Sequence, residues 1–168
     1  RYLKKLAKRR ERYEQHIRKQ VRKGLEEPRC TSEANATAVQ GMRQFDKVEK
    51  ALEAVRDVLD MKLNVRELTF QRFLGSAEQA YLSVLDNLKA VVAVLNSLDS
   101  IDVEYISMRV KQLQRYKDKN GLSENDEAEI AALKERYELW KSQLDEAAAL
   151  LTKNEEALTA MEKISARV

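Results

Sequence analysis

The sequence is poor in the residues that break helices and in those that close catalytic centres. One proline, four glycines, one cysteine and one histidine are spread over 168 residues. A many-stranded fold needs turn residues at closer intervals than this. The lone cysteine, Cys30, closes no internal disulfide, so nothing points to a disulfide-built secreted domain, and a reducing, cytoplasmic setting is expected. One cysteine and one histidine do not make an ordinary structural zinc site. A helical di-iron site would need two Glu-x-x-His pairs, and the chain has none. Gly24, Gly41, Gly75 and Gly121 lie too far apart to form a phosphate-binding loop. A Ser-His-Asp arrangement would have to use His16, which sits among Arg and Lys. Asp118-Lys119-Asn120-Gly121 resembles the opening of a calcium loop, but Leu122 falls on a ligand position and Ser123 where glycine is required. We therefore expect no catalytic residues, metal, cofactor or small-molecule substrate, and a protein that is not an enzyme.

No run of about 18 apolar residues is present, so no bilayer span is expected. The densest stretch, 88–98, is interrupted by Lys89 and Asn96. No signal-peptide pattern opens the chain. It begins with Arg rather than Met, which leaves room for an upstream segment. Asn35-Ala36-Thr37 fits a glycosylation sequon, which is silent in a cytoplasmic protein.

What the chain does have is charge and helix formers. Charged residues make up 35% and hydrophobic residues 43%, the composition of long helices or coiled coil. Five helical segments are expected. The first covers about 2–25, with apolar Leu3, Leu6, Tyr13, Ile17, Val21 and Leu25, of which the last four repeat every fourth residue as a narrow stripe. Gly24 weakens its end and Pro28 stops it, so 26–34 reads as a hinge. The second covers about 33–61, capped by Thr31 or Ser32, with a heptad seam of Phe45, Val48, Leu52, Val55 and Leu59. Glu49, Glu53 and Arg56 read as intrahelical pairs on its solvated face. Lys62 and Arg66 then occupy core positions, so a break is placed at 62–64, and Asn64 with Glu67 suggests a capping box for a third helix from 65.

That third helix holds an unbroken series of Leu74, Ala77, Tyr81, Val84, Leu88, Val91, Leu95 and Leu98. Leu82, Leu85, Val92 and Val94 widen its face, which should therefore touch at least two neighbours. Phe70 and Phe73 read as packing at its start. Asp99 and Ser100 are expected to cap a fourth helix over about 101–119, holding Val103, Ile106, Val110 and Leu113. Asn120-Gly121 supplies a left-handed terminus. Ser123 and Asp126 open a fifth helix whose seam runs through Ile130, Leu133, Tyr137, Trp140, Leu144, Ala147, Leu151, Asn154, Leu158 and Met161. At about 65 Å, this helix either elongates the bundle or projects from it. The expected fold is all-α: an elongated antiparallel bundle of four to five helices with coiled-coil-like heptad seams.

The charge is uneven. Residues 1–29 hold twelve Lys/Arg against four Glu, and the remainder holds 19 Lys/Arg against 24 Asp/Glu. We divide the chain into a basic N-terminal helix, 1–29, and a helical bundle domain, 30–168. Ten cations form the candidate surface for an anionic partner: Lys4, Lys5, Lys8, Arg9, Arg10, Arg12, Arg18, Lys19, Arg22 and Lys23. They suit an anionic membrane surface, where each basic residue gains about 1 kcal/mol. They also suit the phosphates of a nucleic acid, bound with little sequence information. A third reading makes them the solvated face of one more bundle helix, or a docking face for an acidic protein. The expectation is a non-catalytic interaction or scaffold domain, cytoplasmic and at the inner face of a membrane, with a nucleic-acid-binding accessory protein as the alternative. A second interface, for a protein partner or self-association, is expected at Leu151, Asn154, Leu158 and Met161, where the fifth helix outruns the others. Asn154 interrupts that apolar seam, either to fix register from a buried position or because the bundle has ended.

Overall fold

Periodicity in the sequence becomes five helices in the computed structural model, which describes residues 2–168. They are α1 (Tyr2–Glu26), α2 (Ser32–Lys62), α3 (Leu68–Asp99), α4 (Val103–Asn120) and α5 (Glu124–Arg167), packed antiparallel with no strand among the described residues. The starts of α2, α4 and α5 have a local cause. The Ala34 N–H donates to Thr31 Oγ1 at 3.2 Å. Tyr105 N–H donates to Asp102 Oδ1 at 3.0 Å, so α4 is capped by Asp102 and not by Asp99 or Ser100. Ser123 and Asp126 form a reciprocal capping box at α5. Gly121, at φ 74°, ends α4 where a side chain would be strained.

The break between α2 and α3 is present. Asn64 N–H donates to Glu67 Oε1 at 3.1 Å, and Arg66 N–H to Asn64 Oδ1 at 3.1 Å. These bonds close the turn itself, so α3 begins at Leu68 and not at Val65.

α3 is the centre. It packs against α1, α2 and α5, and its series from Ala77 to Leu98 is buried together with Leu85 and Val94. By length and composition α3 could cross a membrane, with a mean hydropathy of 1.2 over an 18-residue window. It holds no uninterrupted run of 18 apolar residues, since Lys89 and Asn96 fall within it. In this fold that apolar surface is taken up by three neighbouring helices. α1 and α5 lie on opposite sides of the α2–α3 pair and do not meet.

Two pairs set the α2–α3 register: Tyr81 Oη donates to Glu49 Oε1 at 3.0 Å, and Arg56 pairs with Glu78 at 3.5 Å. Glu49 and Arg56 thus reach across helices, where intrahelical pairing was expected.

The expected hinge is a locked corner. The Arg29 side chain is 1% exposed. Its guanidinium donates to Asp99 Oδ2 at 3.0 Å, to Asn96 Oδ1 at 2.8 Å and to the Gly24 carbonyl. The Arg29 backbone is held at both ends by Asn35, through N–H to Oδ1 at 2.8 Å and Nδ2 to O at 3.1 Å. Asp99 also accepts from the Cys30 N–H at 3.2 Å. Gly24 serves a close approach: a Cβ there would overlap the Val92 side chain of α3.

α5 has two surroundings. Its C-terminal half lies against α2 and α3, and Leu151, Asn154, Leu158 and Met161 are at most 2% exposed. The expectation that they face another chain is therefore corrected. Running antiparallel to α3, α5 brings this half back alongside the body, and its N-terminal half is the end that projects. There it pairs with α4, which packs along α5 alone apart from Val103 at its start. Ile106, Leu113 and Leu133 form a small core of their own.

Candidate anionic-surface interface

The basic segment is one helix with two unlike halves. In the C-terminal half, Ile17, Val21, Gly24 and Leu25 are buried against α2 and α3. In the N-terminal half the continuation of that stripe, Leu3, Leu6 and Tyr13, is exposed, as is Tyr2. Arg1, the first cation of the segment, lies outside the described residues.

All ten candidate cations are exposed. At about 100° per residue, Lys5, Lys8, Arg12, Lys19 and Lys23 fall on the side opposite the buried stripe. They make a ridge about 27 Å long, and His16 lies on its edge. Lys4, Arg9 and Arg22 flank it. Among the described residues, three of the ten are in ion pairs: Arg10 with Glu14 at 3.2 Å, Arg18 with Glu49 at 2.8 Å and Arg22 with Asp46 at 3.8 Å. The last two tether α1 to α2, and the Arg22 guanidinium also stands 5.2 Å from the Phe45 ring. The remaining seven have no ion-pair partner among the described residues, so their charge is presented to solvent.

The Arg18–Glu49 and Arg22–Asp46 pairs also fix where the open end of α1 lies. Extended toward the N-terminus, this antiparallel register sets Leu3 and Leu6 level with the α2–α3 turn. Exposed Met61, Val65 and Leu68 sit at that turn, together with Lys62 and Arg66. One end of the bundle therefore combines uncovered apolar side chains with cations. A groove of about 450 Å³ runs beneath the α1 end, and its lining includes Lys4, Ala7, Lys8, Leu52, Tyr81 and Leu82. Burial and the adjacent Glu49 carboxylate push the Tyr81 phenol above its ordinary value, so it remains a donor to Glu49.

Cys30 is free and exposed. The Asp99 carboxylate raises its thiol pKa, which disfavours the reactive thiolate. Among the described residues no group of three or more His, Cys, Asp or Glu side chains is placed to hold a metal ion.

Asn154 takes the buried reading. It is fully buried, its Nδ2 donates to Gln44 Oε1 at 2.9 Å, and its Oδ1 accepts from Asn87 at 2.9 Å. Gln44 in turn donates to the Leu151 carbonyl and to Glu155 Oε1, each at 2.8 Å. Sequence reasoning missed Gln44, Asn87 and Arg29. A polar residue reads as solvated until its partners, about a hundred residues away for Gln44, are placed beside it.

Comparison with family models, curated proteins and solved structures returns no match. The functional reading therefore rests on the geometry of the chain itself.

Proposed function

We propose that this chain is a non-catalytic interaction domain that docks on an anionic membrane surface through the N-terminal half of α1. The observation that carries the reading is the pairing, on one helix, of uncovered Tyr2, Leu3 and Leu6 with unpaired Lys4, Lys5, Lys8, Arg9 and Arg12. A nucleic-acid backbone would use only the charge. A lipid surface uses both, because apolar side chains enter the headgroup boundary while cations meet anionic headgroups. Anionic lipid is concentrated in the cytoplasmic leaflet, so the reading carries a location at the inner face of a membrane. Folded body and docking end are joined rigidly, since Arg29 and Gly24 seat the C-terminal half of α1.

Deleting 1–29 would be a poor test, because it also removes Ile17, Val21, Leu25 and Arg29 from the core. Substitution at exposed positions is cleaner. The full chain at about 0.15 M salt, where loose surface attraction is screened beyond about 8 Å, should cosediment with phosphatidylserine-containing vesicles and not with phosphatidylcholine alone. Leu3→Gln with Leu6→Gln, which leaves the charge intact, should abolish that binding, and so should Lys5→Glu with Lys8→Glu and Arg12→Glu. Duplex DNA bound as tightly as the vesicles, and unaffected by the leucine variants, would replace this reading with the nucleic-acid one.

A further inference from the structure

We infer that the chain docks on the anionic bilayer end-on, with the α2–α3 turn as a second lipid contact beside the tip of α1 and the α4–α5 hairpin pointing away from the surface. This rests on the proposed membrane docking and adds to it a second site and an orientation.

Exposure singles out one end of the molecule. Among the described residues, the four most exposed large apolar side chains are Met61 at 84%, Leu3 at 78%, and Tyr2 and Leu68 at 74%. Two belong to the start of α1 and two flank the α2–α3 turn. The antiparallel register of α1 and α2 brings these distant stretches to one height. Arg18 pairs with Glu49 and Arg22 with Asp46, and the same spacing carried to the end of the bundle sets Leu6 level with Met61 and Leu3 level with Val65. Packed helices lie about 8–10 Å apart, so the two stretches form one end face.

The orientation follows from where the side chains of α1 fall. At about 100° per residue, Leu3 and Leu6 share the side of Ile17 and Val21, which are buried against the body. Lys5 and Lys8 fall on the opposite side. No sideways approach brings both sets to one plane. Docking on the outer ridge holds Leu3 and Leu6 away from lipid, and α2 and α3 occupy the inner side. At the tip, with the axis of α1 near the membrane normal, both sets reach the headgroup boundary, where apolar side chains bury about 5–10 Å deep. The turn is carried to the same depth, and Met61, Val65 and Leu68 enter beside Leu3.

Charge identifies the occupant. Residues 2–9 hold four Lys/Arg and no acid, and residues 60–68 hold Lys62 and Arg66 against Asp60 and Glu67. Glu67 is engaged within the turn, since its Oε1 accepts from the Asn64 N–H at 3.1 Å. None of these six cations has an ion-pair partner among the described residues. Exposed apolar side chains set among unpaired cations complement anionic headgroups over an apolar interior. Distance then limits which cations take part. At about 1.5 Å per residue, Lys19 stands about 24 Å behind Leu3, which is about three Debye lengths at 0.15 M salt. End-on docking therefore uses the near end of the ridge and not its far end, whereas docking on the ridge uses both alike.

The test is cosedimentation of the full chain with phosphatidylserine-containing vesicles at about 0.15 M salt. Met61→Gln with Leu68→Gln, both at exposed positions and neutral in charge, should weaken binding roughly tenfold while leaving circular dichroism unchanged. Lys5→Gln with Lys8→Gln should weaken it roughly tenfold or more. Lys19→Gln with Lys23→Gln, the identical change in charge, should weaken it less than about twofold. In a Cys30→Ser background, an environment-sensitive fluorophore on Met61→Cys should shift to the blue when vesicles are added, and one on Lys19→Cys should not. Binding that Leu3→Gln with Leu6→Gln abolishes, but that Met61→Gln with Leu68→Gln leaves unchanged, would overturn the end-on arrangement and leave the membrane reading standing. Equal losses from the two lysine pairs, or a blue shift at Lys19→Cys, would do the same. A wild type that binds no vesicles would overturn both.

Discussion

From Ala147 to Met161, α5 lies between α2 and α3, and its seam residues Ala147, Leu151, Asn154, Leu158 and Met161 are all buried. From Glu124 to Tyr137 the same helix lies against α4 alone, and of its seam there Leu133 is buried, Ile130 half-buried and Tyr137 exposed. The two halves share one helix and one heptad pattern. They differ in the number of neighbours, and that number decides how much of each side chain leaves water. A heptad seam requires one partner. A fully dry seam that also shelters a polar network needs two. Trp140, stacked with Tyr137 at 6.0 Å, marks the change from one regime to the other.

The largest effect should come from putting a charge in the better-covered region. Leu88 is fully buried at the centre of α3. Leu88→Asp buries a carboxylate without a partner and should cost more than about 4 kcal/mol, removing the cooperative melt seen by circular dichroism. Leu133→Asp makes the same change in the hairpin. There the side chain can reach water by local opening, so hydrogen exchange should show α4 and the start of α5 unprotected while α2, α3 and the end of α5 stay protected. Global unfolding by Leu133→Asp would mean that the two regions are one cooperative unit.

A smaller effect should follow from Asn154→Leu. The leucine suits the seam but leaves Gln44 Oε1 and the Asn87 amide without their partner. The expected loss is about 2 kcal/mol in a denaturant melt, with the hairpin's exchange unchanged. Gln44→Leu in the same background should recover part of that loss, since removing both partners spares the desolvation cost. A stabilised single variant would show that the network serves register and contributes nothing to stability.

Much of this was legible in the sequence. The 3-4 series in α2, α3 and α5 gave the helices and the seams, and Lys62 with Arg66 at core positions marked the break. The seam of α5, however, runs on through Leu144 without a change of pattern, so nothing in it told which half would project. The projecting end was therefore misplaced, and with it the expected partner surface at Leu151, Leu158 and Met161. Gly24 read as a weak helix end because a helix's own residues do not report how close its neighbour comes. Arg29 entered only as one charge of the basic segment, because Asp99 and Asn96, which bury it, belong to another helix. The ten cations of α1 were legible as charge. That Leu3 and Leu6 stay uncovered beside them was not, because both continue the stripe that Ile17 and Val21 bury.

The smallest expected effect separates the two regions by pH. Arg109 donates to both oxygens of Glu129, at 2.6 and 3.0 Å, and this hydrogen bonding holds the Glu129 carboxyl below its ordinary value. A depressed folded-state pKa means that the unfolded hairpin binds the proton more tightly than the folded one. The contribution of the pair is then fully present above the ordinary carboxylate value of about 4.3 and is lost as pH falls through the lower, folded-state value. Both side chains are about one-third exposed, so the effect is screened and confined to the hairpin. Arg109→Gln should return the Glu129 carboxyl to its ordinary value in an NMR titration. Near neutral pH it should speed exchange of the α4 amides slightly. In acid, below both carboxyl values, variant and wild type should exchange alike, and the body should be indifferent to the substitution at either pH. A difference that persists in acid would show that Arg109 acts through packing and not through its charge on Glu129.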